Sequence, residues 1–271
     1  MTLETTLKTK EEVSMNIKAK GLVCCGGYGT RLAPITETTN KHMVGILNKP
    51  MVLYPIETLK RLGITDIMIV AGGGHVGDFA DFLGSGKKFG VNLTYRVQEE
   101  AGGIAQAIAL AEDFAAGSPL AVVLGDNIFE NDSIPVTFPP QVGMENAMFF
   151  FSPVKDPQRF GVPVFNRKLK KGECFLVDDS RTLDLIKIEE KPKNPQSNYA
   201  VTGLYIYPNN VFDIISTLKP SARGEMEVSE INNWYVEHNR CNFMVLKGFW
   251  KDAGTRDSLK EVTDWAYKNN K

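Results

Sequence analysis

Gly21-Leu22-Val23-Cys24-Cys25-Gly26-Gly27-Tyr28-Gly29-Thr30-Arg31-Leu32-Ala33-Pro34-Ile35-Thr36, with Lys41 close behind, is the stretch that decides how this chain folds. Its first five residues form a short apolar run that closes on two glycines, as a buried parallel strand does. Glycine at 26, 27 and 29 lets the backbone pass close to a ligand, and the freed N–H groups can point at phosphate oxygens. Arg31 adds a planar fork for two oxygens and Lys41 a compact charge. A Walker loop requires GxxxxGK[ST], which is missing here. A dinucleotide fingerprint requires a third glycine opening a helix, where this chain has Arg31, Leu32 and Pro34. An ordinary glycine-rich turn remains the plain alternative; the cations, Pro34 and Thr36 weigh against it.

Outward from this loop, apolar runs alternate with helical periodicity. Strands are expected at Ile67–Ala71, Leu93–Gln98 and Leu120–Leu124, and helices at Pro50–Leu62, Val76–Leu83 and Ile104–Phe114. Pro55 inside the first helix predicts a kink or a late start. The alternation implies βαβ units and a mostly parallel sheet. The second half reads as strands at Ala147–Val154, Gly161–Phe165, Leu183–Ile188, Ala200–Tyr207 and Phe243–Lys247. Helices are expected near Asn210–Leu218 and Val228–Asn239, and again from Arg256. No Ser/Gly linker divides the chain, so residues 20–271 read as one α/β domain. Residues 1–19, rich in Thr, Lys and Glu, read as a mobile extension, and Met15 is a candidate alternative start.

Composition sets the outer bounds. The 271 residues carry 31 Lys+Arg against 32 Asp+Glu, a net charge of −1, which gives no broad basic field for nucleic acid. No apolar run reaches the roughly 18 residues of a membrane span. Residues 1–19 are too polar for a signal peptide, and Cys24, Cys25, Cys174 and Cys241 have no CxxC spacing. Reduced thiols in a cytoplasmic protein are the expectation.

The Gly27–Lys41 run matches the GxGTRLxPxTxxxxK signature of sugar-1-phosphate nucleotidyltransferases. The chain resembles the glucose-1-phosphate thymidylyltransferase family in its short form. The likeness extends through Gly102-Gly103-Ile104-Ala105-Gln106-Ala107, Leu124-Gly125-Asp126-Asn127, Glu189-Glu190-Lys191-Pro192, Ala200-Val201-Thr202-Gly203, Ser221-Ala222-Arg223-Gly224-Glu225 and Asp252-Ala253-Gly254-Thr255. The resemblance implies a Rossmann-like three-layer nucleotidyltransferase fold. Its central sheet would be mixed and mostly parallel, with an inserted sugar-binding region. The nucleotide-binding half would span about 20–130, and the sugar-binding, metal-completing half about 131–265. It further implies transfer of a nucleotidyl group from dTTP to glucose 1-phosphate, giving dTDP-glucose and pyrophosphate, by a homo-oligomeric enzyme. UTP, or another hexose 1-phosphate, is the alternative substrate. A non-catalytic nucleotide-sugar sensor is the alternative of a different class.

On that resemblance, Asp126 and Asp252 would share Mg²⁺, and Arg31 and Lys41 would neutralise the triphosphate. Gly26, Gly27, Gly29, Thr30, Gln98 and Gly103 would line the nucleotide. Lys191 and Arg223 would hold the sugar phosphate, with Gly161, Glu190, Val201 and Tyr205 around the sugar. Taken without the family, Asp126 reads more often as a turn former or helix cap and Lys191 as a solvated edge lysine. Arg223 reads as a partner for Glu225 or Glu227, and Gln98 suits the imide edge of thymine or uracil. His42, His75 and His238 lack metal-ligand spacing and read as packing or surface residues. Trp234, Trp250 and Trp265 read as core or interface anchors, and Cys24-Cys25, where the family has Leu-Ala, as small buried strand residues. Two departures stand out: extra chain around Lys168–Asp184, and Gly45 in place of a proline, which should loosen that turn. Long family members continue past the Asp252 helix into a regulatory region, so weaker feedback by that route is expected.

Overall fold

The computed structural model describes residues 17–72, 74–166, 185–221 and 224–269. In chain order the elements are β1 (Lys20–Cys25), β2 (Gly45–Ile46), β3 (Lys49–Pro50), α1 (Leu53–Arg61), β4 (Asp66–Gly72), α2 (Val76–Leu83) and β5 (Asn92–Gln98). Next come α3 (Ile104–Ala109), α4 (Glu112–Ala115), β6 (Leu120–Leu124), β7 (Asn127–Phe129), β8 (Ala147–Pro153), β9 (Gly161–Phe165) and β10 (Leu185–Glu190). The chain continues with β11 (Tyr199–Tyr207), α5 (Val211–Thr217), α6 (Val228–Glu237), β12 (Cys241–Val245), β13 (Trp250–Asp252) and α7 (Arg256–Asn269).

Seven strands form one twisted sheet in the order β12-β8-β11-β6-β1-β4-β5. β1 lies between β6 and β4, parallel to both, and β5 extends the parallel set. β11 runs antiparallel to β6 and β8, which makes the sheet mixed. Strand alternation sends Leu22, Cys24, Met68, Val70, Val122 and Tyr205 to one face, against α3, α5 and α6. Val23, Cys25, Ile67, Ile69, Ala121 and Val123 go to the other, against α1 and α2. Two buried faces explain why these strands read as continuous apolar runs rather than alternating ones. This is the expected three-layer architecture.

Local details differ from the sequence expectations for identifiable reasons. Pro50 pairs with Gly45 in the β2–β3 hairpin rather than opening the helix. α1 therefore starts late, and Pro55 falls in its first turn, where a missing N–H costs nothing. Gly45, expected to loosen its turn, is held in that same pairing. The single helix expected over Ile104–Phe114 is two helices. The Ala111 N–H donates to the Ile108 carbonyl at 2.9 Å, a tighter turn that carries both Ala111 and Ala115 into the core. Ile17 and Ala19, expected to belong to the mobile extension, pack against the second cluster. Residues 1–16, the 167–184 segment and Arg223 lie outside the described residues.

β7 and β13 were not anticipated. They pair antiparallel, Asn127 opposite Asp252 and Phe129 opposite Trp250. α7 then seats Val262 and Ala266 on Ile46, Met51, Tyr54 and Ile128, which fastens β13 in place.

Candidate active site

β1 and β6 are adjacent and parallel, so the chain leaves both at the same edge of the sheet. The glycine-rich loop follows the first and Gly125-Asp126-Asn127 the second. That edge, where connections diverge to opposite sides of β1, is the usual ligand crevice of an open α/β sheet. β11 reaches the same edge from the opposite direction with Val201, Gly203 and Tyr205. A cleft of about 390 Å³ opens there.

The loop is held by its own residues. Gly29 has φ +64°, and a Cβ there would press on Lys41 Cβ at 3.0 Å and Thr36 Cγ2 at 3.1 Å. The Thr36 hydroxyl donates to the Gly29 carbonyl at 2.9 Å. Thr30–Leu32 makes a single 3-10 turn whose Leu32 is fully buried, leaving Arg31 on the cleft side. Asn40 caps the turn at Lys41: its Oδ1 accepts from the His42 backbone N–H at 2.9 Å. It also lies 2.7 Å from His42 Nδ1. Lys41 is thereby aimed at Asp126, with Nζ 2.5 Å from Oδ2. Burial works against the Lys41 charge, but Asp126 outweighs it and the ammonium is held above its usual range. Burial, reinforced by the Lys41 charge, pushes His42 down to about 3, so its ring is neutral.

The β7–β13 pairing brings Asp126 and Asp252 together. The Ala253 N–H donates to the Asp126 carbonyl at 2.8 Å, and the Gly254 N–H to Asp252 Oδ1 at 2.5 Å. Gly254 marks the convergence: a Cβ there would lie 2.6 Å from Asp252 Oδ1, 3.0 Å from Arg31 Nη2 and 3.3 Å from Asp126 Oδ2. Asn127 Nδ2 donates to Asp126 Oδ1 at 3.0 Å. Its Oδ1 accepts from the Gly203 N–H at 2.8 Å and the Trp250 indole at 2.7 Å. Burial raises the Asp126 carboxyl, yet the Lys41 ammonium and the hydrogen bonds from Lys41 and Asn127 prevail and hold it well below the usual range. Asp252 goes the other way, raised by burial and by the Asp126 charge. Two carboxylates in mutual repulsion are a fitting cradle for a hard divalent cation. Among the described residues no group of three or more His, Cys, Asp or Glu gathers. Such an ion would therefore complete its shell with ligand and water oxygens.

Across the cleft, β9 and β10 set Gly161 opposite Glu190. The Lys191 N–H donates to the Phe160 carbonyl at 3.0 Å, and Lys191 has φ +44°, a conformation L-residues avoid. Its ammonium lies 3.4 Å from Glu190 Oε1, half-exposed and turned toward the cleft. Gln98, at the end of β5, is buried beside Gly26: a Cβ on Gly26 would sit 2.4 Å from Gln98 Oε1.

Of the residues expected in the site, Gly26, Gly27, Arg31, Lys41, Gln98, Gly103, Asp126, Gly161, Glu190, Lys191, Val201, Tyr205 and Asp252 all border the cleft. Gly29 and Thr30 shape the loop behind it. Arg223 is outside the described residues. The cleft also takes in His42, Asn127, Arg159, Phe160, Glu225 and Trp250. His42, expected to be a packing or surface residue, is buried and also lines the cleft. Trp250 is the core anchor expected. Cys24 and Cys25 are buried as expected, and burial pushes the Cys24 thiol up to about 12.

A family model described as nucleotidyl transferase matches residues 20–268. The chain belongs to the nucleotidyl transferase family. Among curated members, the glucose-1-phosphate thymidylyltransferase of Neisseria meningitidis is 38% identical over 249 residues, covering 91% of this chain and 82% of that one. The Mycobacterium tuberculosis enzyme of the same name is 36% identical over 248 residues, with 91% and 81% coverage. Among solved structures, a Bacillus anthracis protein assigned as a glucose-1-phosphate thymidylyltransferase, in complex with sucrose, is 46% identical. It superposes with a TM-score of 0.78 over 91% of this nucleotidyltransferase and 94% of that chain. A UDP-glucose pyrophosphorylase complexed with UDP-glucose shares the fold at 24% identity, with a TM-score of 0.76 over 92% of this chain and 98% of that one.

Proposed function

We propose that the chain transfers a thymidylyl group from dTTP to glucose 1-phosphate, releasing pyrophosphate and forming dTDP-glucose. The observation that carries this reading is the convergence of Arg31, Lys41, Asp126 and Asp252 at one end of a cleft whose far wall carries Lys191. Kinship with the curated thymidylyltransferases supports the choice of substrates.

In this reading a phosphate oxygen of the sugar 1-phosphate forms a bond to the α-phosphorus. The bond from that phosphorus to the oxygen bridging the β-phosphorus breaks, and pyrophosphate leaves with the electron pair. The attacking oxygen is already anionic, so no side chain has to act as a base. The chain's work is positioning and charge neutralisation. Asp126 and Asp252 would hold Mg²⁺, which when bound polarises phosphate oxygens and offsets their charge. Arg31 and Lys41 offset the triphosphate. Lys191, with Arg223 as its proposed helper, draws in the sugar phosphate. Glu190, Gly161, Val201 and Tyr205 face the sugar. Gln98 and Gly103 face the base, with Gly27 and the Gly29-Thr30 turn beneath the phosphates.

Mixing the protein with Mg²⁺, glucose 1-phosphate and either dTTP or UTP, and identifying the nucleotide sugar formed, tests the assignment. dTDP-glucose as the preferred product upholds it. UDP-glucose as the preferred product moves it to the uridylyl alternative, which one methyl group of about 1 kcal/mol separates. Tight nucleotide-sugar binding with no product would leave the sensor reading instead. Gly26→Ala is expected to drive the Gln98 amide off the base and raise the nucleotide KM about tenfold, the worth of one hydrogen bond. The KM for glucose 1-phosphate should be unchanged in steady-state kinetics.

The surroundings proposed for the protein are cytoplasmic, consistent with the free buried thiols of Cys24, Cys25 and Cys241. Among the described residues no helix is long and apolar enough to cross a membrane. A homo-oligomer is the proposed state, and light scattering of the purified chain decides it.

A further inference from the structure

The amide of Gln98 has two ways round, and its orientation sets which base edge the cleft accepts. Its Nε2 donates to the Gly103 carbonyl at 3.1 Å and to Gln106 Oε1 at 2.7 Å. Gln106 is the third residue of α3 and reaches back over the helix start. Its Oε1 also accepts from the Gly102 backbone N–H, at 3.1 Å. Asn and Gln amides are ordinarily ambiguous, since O and N are alike in shape. Here the ambiguity is removed from one end, because a backbone N–H can only donate. The Gly102 N–H, shared with the Glu100 carbonyl at 2.8 Å, would meet an amide N–H head-on were Gln106 turned over, so oxygen stands at that end of Gln106. That oxygen requires Nε2 on Gln98, which the Gly103 carbonyl requires as well. With both of its N–H bonds consumed, Gln98 turns its Oε1 toward Gly26 and the cleft.

We propose that Gln106 is a specificity-determining positioning residue: through Gln98 it fixes an acceptor on the base-binding wall, selecting pyrimidines whose N3 carries hydrogen. Thymine and uracil donate from N3; cytosine presents a lone pair there and is repelled. Gly102 N–H, Gln106 and Gln98 thus form a relay of hydrogen-bond polarity from the backbone to the base. The inference rests on the nucleotide-binding reading of the cleft, and it concerns which base is refused rather than which reaction follows.

The test compares dTTP with dCTP in wild type, Gln106→Leu and Gln106→Glu, by kcat/KM and by calorimetric binding of each nucleotide alone. Leu removes the shorter of the two bonds that hold Nε2 and leaves only the Gly103 carbonyl at 3.1 Å, which loosens the Gln98 amide toward the turned-over orientation. Glu keeps an acceptor for both donors. The dTTP-to-dCTP preference is expected to fall at least tenfold in Gln106→Leu, chiefly through a gain with dCTP. In Gln106→Glu it should stay within about threefold of wild type. A merely structural role would weaken both nucleotides alike, leaving the ratio unchanged, and that result in a folded Leu variant overturns the proposal. So does a Glu variant that loses selectivity as fully as Leu. Binding separates this from the parent reading: selective binding without turnover would refute the transferase while leaving the relay standing. A wild type that binds dTTP no better than dCTP would overturn the relay itself.

Discussion

Asp126→Asn is expected to lower kcat by about a thousandfold or more, the scale seen when a charge-stabilising group at a reacting centre is lost. Asparagine keeps the shape of the side chain, and with it the β7–β13 pairing that depends on the Asp126 carbonyl and on Asn127. What it removes is one of two carboxylates in the proposed cation cradle and the only acidic partner within 4 Å of Lys41 among the described residues. Circular dichroism should be that of wild type, and pyrophosphate release should be at background over a wide Mg²⁺ range. A folded variant with near-normal turnover would remove Asp126 from the cation site and leave it the role of a turn former.

The second large effect is on stability. Lys41→Met takes the counter-charge from Asp126, which then faces Asp252 across the buried end of the cleft. Breaking a buried pair from one side costs about 3–5 kcal/mol. In a chain of this size that is a fall in melting temperature on the order of 10 °C, measured without divalent cation. The pH dependence follows from the lowered Asp126 carboxyl. In the folded wild type that carboxyl stays ionised below the pH at which the unfolded chain's aspartate, near pH 4, takes up its proton. Its contribution to stability is present above about pH 4 and is lost as the pH falls further. The variant lacks that contribution, so its deficit should be full at pH 7 and narrow below pH 4. A deficit independent of pH would mean that Lys41 stabilises by packing alone. Turnover by the variant should be lost as well, since Lys41 is one of the two cations proposed to offset the triphosphate.

Most of the fold was legible because its signals are local. The apolar runs at Gly21–Cys25 and Leu120–Leu124 each stop at a glycine, and the strands fall there, as one does at Gly161–Phe165. The helix over Val76–Leu83 ends at Gly84 as read. Pro55 predicts a kink or a late start, and the helix starts late, at Leu53, with Pro55 in its first turn. The β7–β13 ladder was illegible because each strand is three residues long and its partner lies far off in the chain. No periodicity marks a pairing whose specificity comes from Asn127, a single amide that ties Asp126, Gly203 and Trp250 together. The joining of Asp126 to Asp252 was thus available only through family resemblance, while the structure supplies its cause. His42 falls on the packing side of its two expected roles, because Asn40 caps the turn and folds the ring inward. Gln106 carried a weak signal that could have been used: a Gln at the third helix position commonly reaches back to the helix start.

The proposed transfer is direct, between two substrates gathered at one cleft, with no nucleotidyl group passing through the protein. Exchange of radiolabelled pyrophosphate into dTTP tests it most directly, run with Mg²⁺ in the presence and absence of glucose 1-phosphate. Label should enter dTTP only when the sugar phosphate is present. Exchange without sugar phosphate would mean a covalent nucleotidyl-enzyme, and no exchange under either condition would contradict the transferase account.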